Sequence, residues 1–302
     1  MFATLLGDLP RPPAPADADA AALLDAVVSA QVSAGLEPVT DGGWSVVAAP
    51  VDAWRDTSRR TDRLVKQAVV GPYSAGLAAD PVTDRAGRTP APGDAAMTAA
   101  RAMNRILRDL ASAGCPFVEV HEPALAGIGG DPEAWALVRD LHAAMTDGVD
   151  GIHLSLAITS GSVDQAGFDP LLSAPFASFA VDLIAGPANW RFVRVVPGDR
   201  GIVCGALAPA PGGDEGPETL LWAAAYAAAS HGRGRDRVGL STASSLAGLT
   251  WDVAIRKLDR LGAAVRLAQG SVDELRAGLD PRSIDARTAA LGHGAPPRRR
   301  SP

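Results

Sequence analysis

The feature that most constrains this chain is a rhythm. Short runs rich in β-branched residues alternate with longer stretches rich in Ala and Leu, and the alternation persists along most of the sequence. The strand candidates are Phe2–Leu6, Pro38–Thr40, Lys66–Gly71, Pro116–His121, Gly151–Leu156, Ala177–Leu183, Gly201–Ala206 and Arg237–Leu240. Helical stretches fall between them, most clearly at Ala20–Ala34, Ala95–Ala113, Pro132–Met145, Pro217–Ser230 and Trp251–Leu267. Within Ala95–Ala113, Met97, Ala100, Met103, Ile106, Leu107 and Leu110 recur at helical spacing and define one apolar face. Strands that alternate with helices pair in parallel through right-handed crossovers. Eight such units predict the α/β class and a single-domain (β/α)8 (TIM) barrel over residues 1–291, with a doubly wound open sheet as the alternative. The length of 302 residues suits one barrel of ordinary size. Residues 292–302, which end in GAPPRRRSP, are expected to form a disordered Pro/Arg tail.

Composition removes several classes of function. With 47% hydrophobic residues over this length the chain can bury a core without disulfide staples. The two cysteines, Cys115 and Cys204, exclude a disulfide-rich scaffold and a cysteine-rich zinc module, and both read as core residues. No apolar run reaches the ~18 residues of a membrane span. The opening MFATLLGDLPRPP lacks the basic stretch of a signal peptide, so a cytoplasmic location is expected. A net charge of −6 argues against a general nucleic-acid binder. The only lysines are Lys66 and Lys257, which leaves few candidates for lysine-centred chemistry. The expected partner is a small-molecule substrate, with a second copy or a partner chain open as well.

In a barrel, chemistry gathers where strands end and the following loops begin. Those positions hold Asp8, Asp41, His121 with Glu122, Asp182, and the run Ser241-Thr242-Ala243-Ser244-Ser245. Side-chain alternation adds direction. In Phe117-Val118-Glu119-Val120-His121 the valines suit the helix-facing side, which leaves Glu119 and His121 facing inward. The same reasoning turns His153 and Ser155 inward on the next strand and Asp182 on the one after. The expectation is a shared opening with His121, His153 and Asp182 as catalytic candidates, and with Asp8, Asp41, Glu119, Glu122, Ser155 and Ser244 binding substrate. Any one of these polar groups could equally fill the wet top of a barrel for structural reasons. As a set, two histidines and several carboxylates favour a site.

Other segments carry less. Residues 41–65 and 79–94 read as long loops over the functional rim. Gly71-Pro72-Tyr73-Ser74 is either a plain turn or a close backbone approach to a ligand, and Gly127–Gly130 lacks the spacing of a dinucleotide fingerprint. His231 reads as a polar loop residue. No nucleophile elbow or Walker-type phosphate loop is present.

Taken in order, the strand-end motifs resemble the C-terminal barrel of cobalamin-independent methionine synthase. The resemblance is carried by Leu6-Gly7-Asp8-Leu9-Pro10-Arg11-Pro12, by Gln31 through Gly35 followed by Val39-Thr40-Asp41-Gly42-Gly43, and by Val70-Gly71-Pro72-Tyr73. It continues through Ala113-Gly114-Cys115-Pro116, the segment VEVHEPAL from Val118 to Leu125, Gly205, Glu218 and the stretch from Leu240 to Lys257. The family is similar over nearly the whole chain. It implies a zinc ion held by a histidine, two cysteines and a glutamate, which activates a thiol for methyl transfer from a folate.

Residue by residue, the resemblance puts that histidine at His153, the first cysteine at Ser155, the glutamate at Asp182 and the second cysteine at Ser244 or Ser245. Of the groups that hold the substrate amine, the family's serine after the first strand is Asp8, the glutamate of its T-D-G-E turn is Gly43, and the aspartate before its E-P is His121. Serine hydroxyls stay protonated at neutral pH and are poor zinc ligands, so loss of both thiolates removes most of the zinc affinity. No metal or other cofactor is therefore expected. A rebuilt site from His121, His153 and Asp182, a two-histidine, one-carboxylate set, is the variant left open.

Two readings follow: a divergent methyl- or alkyl-transferring enzyme acting on a small polar or thiol substrate, or a non-catalytic relative that binds a ligand or partner.

Overall fold

The computed structural model describes residues 1–14, 18–45, 47–79, 92–164, 168–212 and 215–270. Among the described residues seven parallel strands are present: β1 (Phe2–Thr4), β2 (Lys66–Val70), β3 (Phe117–His121), β4 (His153–Ile158), β5 (Ser178–Asp182), β6 (Gly201–Leu207) and β7 (Val238–Thr242). They form one sheet in the order β1-β7-β6-β5-β4-β3-β2, curled into a half-barrel with helices outside it. The α/β class is as the sequence pattern predicts. Among the described residues the helices are α1 (Ala20–Ala34), α2 (Pro50–Ser58), α3 (Pro72–Ala78), α4 (Pro92–Ser112), α5 (Pro132–Thr146), α6 (Asp169–Leu172), α7 (Asn189–Val195), α8 (Pro217–Ala229) and α9 (Trp251–Ala268).

Local chemistry explains several boundaries. The Asp19 carboxylate caps α1 by accepting from the Ala22 N–H at 2.7 Å, and Gly35 ends it in the left-handed conformation (φ 84°) that glycine adopts without steric penalty. Asp131 caps α5 in the same way through the N–H groups of Glu133 and Ala134. Pro50, Pro72, Pro132 and Pro217 stand at helix starts, where a missing N–H is harmless.

The predicted strand Pro38–Thr40 is reduced to one parallel bridge, Val39 to Val65. Pro38 has no N–H to donate, and the segment keeps isolated bonds on both sides. The Glu37 N–H donates to the Ala3 carbonyl at 2.8 Å, and the Lys66 N–H donates to the Val39 carbonyl at 2.9 Å. The stretch 41–65, read as loop, holds α2, and Gly71–Ser74 opens α3 rather than forming a plain turn. Most of 79–94, the tail and the 291 boundary lie outside the described residues.

The strands bury both faces, as parallel sheets with covering helices do. Val118, Val120, Leu154, Leu156, Phe179, Val181, Ile202, Cys204 and Leu240 join the large core shared with the helices. A second, separate cluster of Leu6, Ala157, Ala180 and Val203, with Phe2 against it, fills the concave side of the sheet. Both thiols are core groups: burial pushes Cys115 up to about 11 and Cys204 up to about 12, so each stays protonated at neutral pH.

Helices α1 and α9 approach so closely that a Cβ on Gly262 would lie 1.7 Å from the Ala34 carbonyl oxygen. Gly262→Ala would gain about 1 kcal/mol of helix propensity in isolation. Here it is expected to destabilise the protein by roughly 1–3 kcal/mol, because backbone must move to admit the methyl group. Urea denaturation of the variant checks the sign.

Candidate functional site

The site is built on the loops that follow the strands. A cavity of about 570 Å³ opens there, with Asp8, Asp41 and His121 as its ionisable lining. Thr40, Thr159, Ser160, Ser244 and Ser245 bring further polar groups to the same wall. Its volume falls in the ~300–1,000 Å³ range of small-molecule pockets.

Asp8 is held between two loops. Its N–H donates to the Ser245 hydroxyl at 3.2 Å, and its carbonyl accepts from the Leu246 N–H at 2.8 Å. On the other side the Leu9 N–H donates to the Gly42 carbonyl at 3.0 Å, and the Trp44 indole N–H donates to the Leu9 carbonyl at 2.9 Å. Gly43 (φ 79°) matters for this closeness, since a Cβ there would sit 2.6 Å from the Asp8 Oδ1. Asp41 folds its own turn, accepting from the Gly43 N–H at 3.1 Å. Burial, and then the charge of Asp41, push the Asp8 carboxyl above its ordinary value, against the opposing pull of His121 and Ser245.

His121 is oriented from below. Its Nε2 lies 2.8 Å from the Glu119 Oε1, and the Glu119 Oε2 accepts from the Lys66 Nζ at 2.6 Å. Lys66 and Glu119 are both buried to 1% exposure, whereas His121 keeps 20% and reaches the cavity. Burial alone would raise the Glu119 carboxyl, but Lys66 and His121 outweigh it and hold it down to about 2. Burial depresses the Lys66 ammonium, with Glu119 opposing. With Glu119 ionised, the imidazole offers its Nε2–H to the carboxylate, so the neutral ring carries an unprotonated Nδ1.

The remaining expectations divide. Glu119 and His121 face inward together, and Asp8, Asp41, His121 and Ser244 line one cavity. His153 does not join them. Strand β4 begins at His153 rather than Gly151, and in the register His153 pairs with Phe117 while His121 pairs with Ala157. Four residues of strand place His153 about 13 Å below His121, at the opposite end of the sheet. Its Nε2 lies 2.8 Å from the Ser178 Oγ, and its ring stacks on Phe117 at 4.6 Å.

Ser155 sits between, level with Glu119 and fully buried, and its hydroxyl has no hydrogen-bond partner among the described residues. Asp182 ends β5 at the correct level, yet its carboxylate accepts from the N–H groups of Ile184 and Ala185 at 2.8 Å each and of Ser160 at 3.2 Å. It ties two loops together and holds Ser160 at a left-handed φ of 70°. Glu122 is buried and caps α3 through the N–H groups of Tyr73 and Ser74 at 2.9 and 2.7 Å. A Cβ on Gly71 would lie 2.2 Å from the Glu122 carboxyl carbon, which explains the glycine there.

The shared opening for His121, His153 and Asp182 is therefore corrected, and with it the rebuilt two-histidine, one-carboxylate metal set. The positions that the resemblance aligns with zinc ligands, His153, Ser155, Asp182 and Ser244 or Ser245, do not fit a zinc ion either. Their donors lie at different levels of the sheet, and Asp182 is engaged by backbone. Among the described residues no three His, Cys, Asp or Glu side chains meet as a metal-holding group. Lys66, which the sequence marks only as one of two lysines, belongs to the site through Glu119. Its signal was a lysine at an inward position of an otherwise neutral strand, since lysine is almost never buried unless paired.

No protein-family model matches the sequence, and no curated protein is similar to it by sequence. Similarity to solved structures is clear. A B12-independent methionine synthase from Shewanella sp. W3-18-1 in complex with selenomethionine superposes with a TM-score of 0.69 at 14% identity, over 88% of this chain and 97% of that one. A methyltransferase from Methanosarcina mazei gives 0.54 at 15% identity, over 76% and 69% of the two chains. An L-ribulose 3-epimerase gives 0.50 at 13% identity, over 99% of each. At such identities the likeness establishes the fold alone, one shared with TIM-barrel proteins.

The buried pair generates two expectations. Lys66→Met leaves the Glu119 charge without its main partner and should lower stability by about 3–5 kcal/mol. In the wild type, Glu119 titrates at about 2 against an ordinary 4.5. The unfolded chain therefore binds that proton first, so the contribution is complete above about pH 4.5 and disappears as the pH falls through about 2. Chemical denaturation across that range should show this acid limb, and Lys66→Met should flatten it.

Proposed function

We propose that this chain is a divergent methionine synthase-like enzyme. It transfers a methyl or other alkyl group to a small polar or thiol substrate without the family's thiolate-ligated zinc. The fold likeness to a methionine synthase and a methyltransferase supports this reading, as does the ordered run of motifs in the sequence. The observation that carries it is the relay Lys66, Glu119, His121, in which an ionised, buried carboxylate orients an imidazole that lines the cavity. The arrangement follows the base-and-orienter logic of acid–base sites.

In this reading the substrate's thiol or amine gives its proton to His121 Nδ1, which leaves a lone pair able to attack the alkyl carbon. The donor's bond to that carbon breaks, its electron pair leaves with the donor, and Glu119 stabilises the imidazolium. Asp8 and Asp41 supply acceptors for the N–H or O–H groups of the bound molecules, and the hydroxyls of Ser244 and Ser245 complete the wall. The finer architecture proposed is a closed (β/α)8 barrel with segment 37–40 as its eighth stave. The bonds of Glu37 to Ala3 and of Lys66 to Val39 support it. No helix among the described residues is long and apolar enough to cross a membrane, and a cytoplasmic location is proposed.

A non-catalytic relative that only binds a ligand is the second reading, favoured by the dispersal of the zinc-ligand positions. One experiment separates the two. His121→Ala removes one of the two side-chain partners of the buried Glu119 and should lower the melting temperature by several degrees, with the fold retained by circular dichroism. It should lower the rate of alkyl transfer to thiol acceptors by roughly 100-fold or more. Unchanged turnover in that variant would remove His121 from the chemistry. Saturable ligand binding with no turnover by the wild type would favour the binding protein. Dialysis against a chelator is expected to leave the wild-type rate unchanged.

A further inference from the structure

The end of the sheet opposite His121 has a cavity of its own, about 320 Å³ in volume, and it shares no lining residue with the one above. The two are separated by the Lys66–Glu119 pair and by the small cluster of Leu6, Ala157, Ala180 and Val203. We infer that this lower cavity is a second binding site, for a flat, uncharged heteroaromatic ring with both donor and acceptor groups on its edge.

Its walls suit a ring. Phe117 and His153 stack on each other at 4.6 Å with their planes 18° apart, and both rings line the cavity. Phe2 lies across from them on β1, where the glycine at position 239 makes room, since a Cβ there would meet the Phe2 ring at 2.5 Å. Gly201 keeps the start of β6 equally thin, because a Cβ at that position would lie 2.9 Å from the Ser178 Cβ. All three aromatic rings, each only partly buried, border this cavity and leave apolar surface on which a ring can stack.

The polar groups suit a neutral edge rather than a charge. At the floor, the Ser178 hydroxyl and the His153 Nε2 are hydrogen bonded at 2.8 Å, and burial favours the uncharged imidazole. At the rim, exposed Asp199 and Asp236 offer acceptors while exposed Arg237 offers donors. A cation would meet Arg237 and an anion would meet the two carboxylates. A ring of the amino-pyrimidinone kind, with an N–H beside a carbonyl, can satisfy both. The site also gives His153 a role, which the upper cavity does not.

The test uses the full chain and isocytosine as probe, followed by calorimetry and by the imidazole resonances. Saturable binding that shifts the His153 resonances is expected. Phe117→Leu, which keeps apolar volume but removes the flat face, should weaken it roughly tenfold. The exposed rim variant Asp236→Asn should weaken it as well, and it serves alone if Phe117→Leu fails to fold. Asp8→Asn, in the upper cavity, should leave affinity within about twofold. Absence of saturable binding overturns the inference. So does binding that Asp8→Asn weakens, or binding that neither lower-site variant affects.

Discussion

A lysine and a glutamate, both cut off from water, face each other inside the curl of the sheet, and much of the molecule follows from keeping them satisfied. Removing two charges from water is unfavourable by several kcal/mol each after relaxation, and their attraction repays it only when the remaining lone pairs and protons also find partners. Here the Lys66 ammonium takes one Glu119 oxygen and the His121 imidazole takes the other. His121 is thus the second partner of a buried carboxylate and the first ring exposed to the cavity above. Its orientation is a consequence of electrostatics below it, independent of whatever binds above.

The same pair divides the interior. The residues beside it are small, Ala157 and Ala180 among them, so the concave side of the sheet is filled by one ion pair and a thin apolar layer. Above that layer the lining is acidic and hydroxylic. Below it the lining is aromatic. A sheet whose inner face changes character along its length presents two unlike surfaces at its two ends.

Periodicity made the fold legible. The edges of α1, α5, α8 and α9 fall within about one residue of the Ala- and Leu-rich stretches that separate the strand candidates. Inward and outward faces were legible too, since a two-residue alternation needs no tertiary information. Level along the strand was not. Whether His153 begins its strand or approaches its end depends on where pairing with β3 starts, a two-residue shift that leaves the facing unchanged and moves the side chain toward the other mouth. The short helices α2, α3 and α7 were invisible because packing rather than propensity holds segments of that length.

Carboxylates at strand ends were also over-read as a group. Glu122 and Asp182 stand where substrate-binding acids would, but their oxygens are taken by backbone N–H groups, two in one case and three in the other. An acid so engaged serves the loops. Asp8 differs, because its loop is joined by other atoms, the Leu9–Gly42 and Trp44–Leu9 bonds on one side and Ser245 and Leu246 on the other, while Asp41 spends one oxygen on the Gly43 N–H of its own turn. The Asp8 carboxyl faces a second carboxylate in partial burial, and its proton affinity rises accordingly. What remains for a ligand is a carboxyl raised by burial and an imidazole oriented by Glu119, both lining one cavity.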